Sequence, residues 1–187
     1  MATTTVRNGV DVDRLVQTID AIKGDAAVAA FTFRAKTSWQ RGGASTSTVS
    51  SFTHMGQETA HVQTHVLRGD EPDVLLGEDS GPNAVELALA ALGSCYAVGF
   101  AYNAAALGYE LEELTYDIEG DLDLRNFVGI DDGPRPGFTA IRVRGKVKAA
   151  NASKEQLDEL CSYVQRTSPV GDIISNPVPI DVSLTVG

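Results

Sequence analysis

The feature that most constrains the fold is a long uncharged segment in the middle of the chain, GPNAVELALAALGSCYAVGFAYNAAALG, at residues 81–108. It opens with a Gly-Pro turn signal and Asn83, a favoured N-cap, and Glu86 follows at the spacing of a capping box. No charged residue occurs over residues 87–109, so the predicted helix has no polar face. A helix that is apolar all round is either buried or membrane-spanning. Gly108 is placed to end it.

The composition and flanks of this segment favour burial over membrane insertion. Alanine and glycine make it small, and no cluster of Lys or Arg borders it to set the orientation of a spanning helix. We therefore expect a central helix whose small residues let neighbouring backbone approach closely. Covering it on every side requires either a sheet plus further helices or a second copy of the chain.

Length and charge narrow the class of protein. A chain of 187 residues favours one compact domain over residues 1–187. The formal net charge of −10 argues against nucleic acid as a partner, because phosphate contacts need a basic surface. Two cysteines do not make a disulfide framework, and the N-terminus lacks the basic and apolar regions of a secretory signal. We expect a cytoplasmic protein without a cofactor, and neither membrane nor nucleic acid as a partner.

Hydrophobic periodicity predicts the order helix, three strands, helix, two strands, helix, strand, which is typical of the α+β class. Residues 1–28 form an N-terminal extension with an amphipathic helix, and a short apolar patch at Val74–Leu76 is expected to be packed against other residues. Besides the central helix, the predicted bounds are 11–23 (helix), 29–66 (antiparallel three-strand meander), 111–124 and 139–150 (strands), 154–166 (helix) and 177–186 (closing strand).

Cys95, in the middle of the central helix, is either a nucleophile or a small core residue, since free cysteine is often buried. It lies too far along the helix for first-turn amides to support a thiolate, so an Arg or His from another element would have to do so. The candidates from the meander are Arg34, Arg41, His54, His61 and His65. Cys161 shares a helical stripe with Leu157, Leu160 and Val164, which predicts core packing.

Other polar motifs carry less chemistry. His61 and His65 are spaced as in helical metal motifs but fall on a predicted strand, so we expect no metal site. Asp121 and Asp123 occupy alternate strand positions, which is more typical of a solvated face than of a catalytic pair. The Gly/Pro-rich segments are turns and do not match a phosphate-binding loop.

Four further segments stand in a fixed order along the chain: DEPDVLLGEDSGPNAVELALAALGSC, AAALGYELEELTYDIEGDLDL, DDGPRPGFTAIRV and QRTSPVGDIISNPVPIDV. Together they resemble the OsmC-like family, which includes osmotically inducible proteins and organic hydroperoxide resistance proteins. The resemblance covers about residues 30–187.

The resemblance implies an intertwined homodimer in which long central helices are wrapped by antiparallel sheets from both subunits. It also implies a peroxiredoxin-like hydroperoxide reductase that acts in oxidative-stress defence. In that chemistry the central cysteine attacks the peroxide as a thiolate and becomes a sulfenic acid. A second cysteine, just before a Pro-Val pair, condenses with it to a disulfide that an external dithiol reduces. An Arg stabilises the thiolate, and a Glu orients the Arg.

Carried onto this sequence, the resemblance implies the catalytic set Cys95, Arg41 and Glu86. The family's Glu falls on Val85, and the adjacent Glu86 also fits the helix cap. The resolving position holds Ser168 in place of cysteine.

Cys161 does not take over the resolving position by register. It precedes that position by seven residues, or about 10 Å along a helix. The Cα atoms of a disulfide lie within about 7 Å of each other.

Two functions follow from these residues. The first is a hydroperoxide reductase in which Cys95 reacts with a small hydroperoxide and an external thiol completes the cycle. The second is a dimeric protein without catalytic activity that binds a small hydrophobic molecule in an apolar cavity, with Cys95 as part of the lining. A reactive Cys95 thiol would favour the first, and an unreactive thiol with a co-purifying ligand the second.

Overall fold

The computed structural model describes residues 4–187 and confirms the α+β class. Contacts divide the chain into two compact units, one formed by residues 4–6 and Asp11–Ala88, the other by Arg7–Val10 and Leu89–Gly187. The single domain over residues 1–187 stays a prediction. The helices are α1 (Val12–Gly24), α2 (Ala84–Leu107), α3 (Lys154–Thr167) and α4 (Pro169–Ser175). The strands are β1 (Val6–Arg7), β2 (Val10–Asp11), β3 (Phe31–Phe33), β4 (Lys36–Arg41), β5 (Ala44–His54), β6 (Gln57–Gly69), β7 (Leu111–Asp121) and β8 (Ala140–Ala149).

The first unit contains an antiparallel sheet with β5 at its centre. One edge of β5 pairs with β6, from Ser45 opposite Gly69 to His54 opposite Gln57. The other edge is shared by β3 and β4, because the chain leaves regular pairing at residues 34–35. The predicted meander is confirmed, with its first strand in two pieces.

The loop between β6 and α2 is organised around Asp70, whose side chain is buried. Its carboxylate accepts hydrogen bonds from the backbone amides of Glu71, Glu78 and Ser80 and from the Ser80 hydroxyl. These bonds, the one from the Ser80 hydroxyl above all, hold the pKa of the Asp70 carboxyl below its usual value of 3.8. The loop closes so tightly that a Cβ on Gly77 would overlap the Glu71 carbonyl oxygen.

The apolar patch in this loop is exposed, so the prediction that it packs against other residues is wrong for the single chain. Val74 is 83% exposed and Leu76 is 92% exposed. The physical reason is that hydrogen bonds to the Asp70 carboxylate fold this loop, and apolar burial does not.

The second unit packs α2 and α3 against each other and against the antiparallel pair β7–β8. The glycines of α2 allow this close packing: a Cβ on Gly99 would lie 3.1 Å from a methyl group of Val164, and one on Gly93 would lie 3.0 Å from Ile118. The small residues therefore let neighbours approach, as the sequence predicts. Phe100, Ala104, Leu160 and Val164 form the core cluster, and Leu92 and Ala105 are buried as well.

The single chain leaves most of α2 uncovered. Within the described chain, only four of its 24 residues are buried. Val98 is 53% exposed and Tyr102 is 48% exposed. By length and composition α2 could cross a membrane, and just 11% of its most apolar stretch is buried. The burial that an apolar helix requires is therefore not provided by one chain.

The C-terminal region differs from the sequence prediction. The closing strand expected at 177–186 does not form, because no strand of the described chain pairs with it. The sequence also does not predict α4, in which Pro169 occupies the first turn. Proline suits that position because its missing N–H would have no helical partner there.

We predict that Asp70→Asn lowers the thermal stability of the protein at pH 7 by several degrees, because a neutral amide is a weaker acceptor for three amides and a hydroxyl. The pKa of Asp70 is depressed in the folded state, so its contribution to stability is present above the ordinary value of 3.8 and is lost as the pH falls below it. The difference between variant and wild type should therefore shrink in acid. Circular dichroism melts at pH 7 and pH 3 measure both effects.

The control for this prediction is Asp73→Asn, which changes an exposed carboxylate of the same loop. Equal melting temperatures for Asp70→Asn and wild type at pH 7 would contradict the organising role of Asp70.

Candidate functional site

The central contact of the candidate site joins Cys95 of α2 to Ser168, the residue between α3 and α4. The Ser168 hydroxyl donates a hydrogen bond to the Cys95 sulfur, with 3.2 Å between Oγ and Sγ. The Gly171 amide donates to the same hydroxyl oxygen at 3.0 Å. Ser168 is only 5% exposed, whereas Cys95 is half-buried. The residue that sequence register assigns to the resolving position therefore lies directly beside the central cysteine.

The local sequence explains why Ser168 is placed this way. A residue before proline is driven out of the helical region, so α3 ends at Thr167 and Ser168 takes extended dihedral angles. Pro169 then starts α4, and Ser168 becomes its N-cap through the bond from the Gly171 amide. One side chain thus caps a helix and contacts the cysteine.

A cavity of about 320 Å³ lies in the same unit, and Gly171 is part of its wall. Its lining combines apolar side chains, among them Leu92, Ile141 and Val164, with the polar groups of Tyr96, Tyr116 and Cys161. This size and this mixture are typical of small-molecule sites. Cys95 is not among the lining residues, so the cavity expected beside Cys95 instead contains the other cysteine.

The tyrosines of the cavity are half-buried and their rings are 5.8 Å apart. Burial raises the pKa of Tyr116 to about 12, and the nearby Cys161 and Tyr96 add to the effect. Burial also raises the pKa of Tyr96, with smaller contributions from Cys95 and Cys161. Both phenols are therefore protonated at neutral pH and can donate hydrogen bonds.

Cys161 is exposed, which corrects the prediction that it packs in the core. The buried stripe of α3 is formed by Leu160 and Val164, with Leu157 partly buried. Consecutive helical residues point about 100° apart, so Cys161 is turned from Leu160 toward the edge of this stripe.

Arg41 and Glu86 make other contacts in the first unit. Arg41 forms an exposed ion pair with Glu78, 2.6 Å from nitrogen to oxygen. Glu86 accepts a hydrogen bond from the Asn83 amide at 2.8 Å and returns one from its own amide to the Asn83 side chain at 2.9 Å. This reciprocal pair is the capping box expected from the sequence. Within residues 4–187, Arg41 and Glu86 do not hydrogen-bond to each other.

The other candidate activators also lie in the first unit. Arg34 donates to the Thr53 hydroxyl at 2.8 Å, and a ring nitrogen of His54 is 2.8 Å from the Val28 carbonyl oxygen. The rings of His61 and His65 meet edge to face with centroids 5.3 Å apart. None of these contacts involves Cys95, so they do not identify the residue that activates it.

Sequence reasoning missed Ser168 as a hydrogen-bond donor and both tyrosines of the cavity. The signal for Ser168 is present in the chain, because serine directly before proline is a helix N-cap pattern that buries its hydroxyl near the helix start. No local sequence pattern predicts that Tyr96 and Tyr116 are neighbours, because only the fold brings α2 and β7 together.

Comparison with protein families identifies the chain. A family model described as OsmC-like protein matches residues 77–183, more than half of the sequence. The chain belongs to the OsmC-like protein family. No curated protein matches it at the sequence level.

Solved structures confirm the OsmC-like fold. An OsmC-like protein from Mycoplasma pneumoniae superposes with a TM-score of 0.57 at 11% identity, covering 78% of this chain and 89% of that one. An OsmC-like protein of unknown function from Vibrio cholerae gives 0.51 at 18% identity, covering 75% and 91%. An organic hydroperoxide resistance protein OsmC from Legionella pneumophila gives 0.51 at 18% identity, covering 76% and 88%.

We predict that Glu86→Ala lowers the free energy of unfolding by about 1 kcal/mol, because the Asn83 amide loses its acceptor. Glu86→Gln should stay close to wild type, since glutamine also completes a capping box. Urea denaturation of the three proteins measures the difference. If Glu86→Gln were stable but its Cys95 reacted more slowly with peroxide, the capping role would be insufficient and the catalytic role predicted from sequence would be supported.

Proposed function

We propose that this OsmC-like protein is a thiol-dependent hydroperoxide reductase of the cytoplasm that acts in oxidative-stress defence, with Cys95 as its only catalytic cysteine. The observation that carries the proposal is the contact between the Cys95 sulfur and the buried Ser168 hydroxyl. A nucleophilic thiol needs a polar partner that favours its ionised form, and a cysteine that only filled the core would not need one. The hydroperoxide resistance protein from Legionella pneumophila supports the substrate class.

The first step oxidises Cys95 and reduces the peroxide. The thiolate attacks one peroxide oxygen, so that an S–O bond forms while the O–O bond breaks. The other oxygen leaves with the organic group and takes up a proton, which gives an alcohol. Cys95 is left as a sulfenic acid.

An external thiol then restores the cysteine, because serine occupies the resolving position. A thiolate of the reductant attacks the sulfenic sulfur, water leaves, and a mixed disulfide forms. A second reductant thiol attacks that disulfide, releasing Cys95 and an oxidised external disulfide. One hydroperoxide and two thiols are thus converted to one alcohol, one disulfide and water.

Arg41 is the proposed source of positive charge for the thiolate, as the family resemblance implies. Its present partner, Glu78, does not prevent this role, because both side chains of the pair are exposed. Exposed ion pairs contribute only about 0.2–1 kcal/mol, so the guanidinium can be redirected at small cost. Glu86 is committed to the helix cap in the single chain, and its orienting role stays a prediction.

We propose a homodimer as the functional unit, with a second copy of the chain covering α2. A continuous exposed apolar face marks an interaction surface in soluble proteins. The C-terminal residues alternate in the manner of a strand, but no strand within residues 4–187 pairs with them, and a second copy would supply one. Their apolar members, all exposed in the single chain, are Val178, Ile180, Val182, Leu184 and Val186.

Val98→Lys should dissociate this dimer, because it places a charge on an apolar face that would lose its water. Val128→Lys is the matched control, since Val128 is similarly exposed but lies in the loop between β7 and β8. Sedimentation velocity at micromolar concentration should show dimers for wild type and control and monomers for Val98→Lys. A monomeric wild type would contradict the homodimer.

A second candidate function is supported by the cavity beside Tyr96, Tyr116 and Cys161. Its volume of about 320 Å³ suits a small hydrophobic molecule, and two protonated phenols could bind an acceptor group on it. In that case the protein would bind a ligand without turning it over, and Cys161 would be the thiol that lines the site.

We predict that cumene hydroperoxide oxidises the reduced protein faster than it oxidises a free thiol. Stopped-flow fluorescence follows the reaction, and dimedone traps the sulfenic acid. Cys95→Ser should abolish the fast phase, whereas Cys161→Ser should retain it, because within residues 4–187 Cys161 forms no hydrogen bond to Cys95 or Ser168.

The opposite outcomes separate the two functions. Wild-type oxidation no faster than that of a free thiol would contradict the reductase, and native mass spectrometry for a co-purifying ligand would then test the binding function. A normal first oxidation with lost turnover in Cys161→Ser would show that Cys161 resolves the sulfenic acid, which would contradict the role of an external thiol.

A further inference from the structure

We infer that Ser168 is a catalytic residue that stabilises the Cys95 thiolate, and that its replacement of cysteine is what makes the cycle depend on a single cysteine. The inference rests on the proposed reductase function. It goes beyond the family resemblance, which assigns only a resolving cysteine to this position.

The hydrogen bonds of Ser168 fix the direction in which its hydroxyl donates. A serine hydroxyl has one hydrogen and two lone pairs. The Gly171 amide occupies a lone pair at 3.0 Å, and the hydrogen is directed to the Cys95 sulfur across 3.2 Å. Because Ser168 is 95% shielded from solvent, water does not compete for either bond. The hydroxyl is therefore held ready before the thiol ionises.

Glycine at position 171 allows the close contact between the start of α4 and the Ser168 hydroxyl. A Cβ on Gly171 would lie 3.2 Å from the Ser168 hydroxyl oxygen and 3.3 Å from the Tyr96 phenolic oxygen. Glycine at this position therefore lets the backbone amide close on Ser168. The hydroxyl is fixed by the helix start on one side and by α2 on the other.

Such a donor has a predictable effect on reactivity. A hydrogen bond to an ionised group is stronger than one to a neutral group, so a donor at this position stabilises a thiolate more than a thiol. It also makes that thiolate somewhat less nucleophilic, but the loss is only about half of the gain on a logarithmic scale. The net result is faster reaction at neutral pH and slower reaction at alkaline pH, where the thiol is ionised without help.

The test of this effect is alkylation of Cys95 by iodoacetamide in a Cys161→Ser background, followed by mass spectrometry from pH 6 to pH 10. Ser168→Ala should react roughly threefold to fifteenfold more slowly than its parent at pH 7, given the strength of hydrogen bonds to charged groups. At the alkaline end it should match or exceed the parent. Ser153→Ala, which removes the equivalent N-cap of α3, is the matched control and should follow the parent throughout.

A purely structural Ser168 would give a different pattern. Loss of a helix cap would loosen α4 and change the alkylation rate in the same direction at every pH. Parallel pH profiles for Ser168→Ala and its parent would therefore overturn the catalytic role.

Ser168→Cys tests the second half of the inference. The Ser168 Oγ lies 3.2 Å from the Cys95 Sγ. A cysteine sulfur at position 168 would therefore have to move only slightly to reach the S–S distance of about 2.0 Å. Mild oxidation with diamide should yield an intrachain disulfide and a chain lighter by two hydrogen atoms, whereas the parent should yield none. Failure of Ser168→Cys to form this disulfide would overturn the assignment.

These experiments are independent of the peroxide reaction. Neither iodoacetamide nor diamide requires peroxidase activity, so Ser168 can be confirmed even if cumene hydroperoxide proves to be no substrate. Conversely, fast peroxide oxidation together with parallel alkylation profiles would support the reductase and overturn the role of Ser168.

Discussion

The structure depends on one mismatch, which is that α2 is apolar on every side while a single chain covers only part of it. Its glycines accept α3 and the β7–β8 pair at van der Waals distance on one side. On the other side Val98 and Tyr102 are exposed. A helix of this composition is unstable in water unless something buries it. The family assignment favours cover by protein over a membrane, and the homodimer proposed above would provide that cover.

In the candidate site, one side chain serves several structural roles. Ser168 ends α3, starts α4 and contacts Cys95, so three structural requirements fix one side chain. Because three contacts fix this side chain, its hydroxyl is held beside the sulfur before any substrate binds. A change at Pro169 would disturb the site without touching it, since the proline forces the break between the two helices.

Sequence alone predicts the regular elements well, because periodicity reports burial within one chain. It predicts α2 and α3 nearly to the residue, and it predicts the β3–β6 meander with ends displaced by two or three residues and a first strand in one piece. The prediction fails where the sequence of a segment does not show what the segment packs against. The segment 177–186 alternates like a strand yet pairs with nothing in the described chain, and Cys161 shares the spacing of a core stripe yet faces its edge. In the site, the family resemblance assigned Ser168 to the resolving position, but only the folded structure shows its hydroxyl donating to the Cys95 sulfur.

In the proposed reductase, a serine beside Cys95 also changes what controls turnover. In an enzyme with two cysteines in contact, the second cysteine reacts with the sulfenic acid to form an internal disulfide. The rate of that step then depends only on the motion of the chain. With serine the sulfenic acid persists until an external thiol reaches it, so its lifetime varies with the concentration of that thiol. A long-lived sulfenic acid is open to further, irreversible oxidation. The near-complete burial of Ser168 limits this hazard on one side of the sulfur, since neither water nor peroxide can approach through the space it fills.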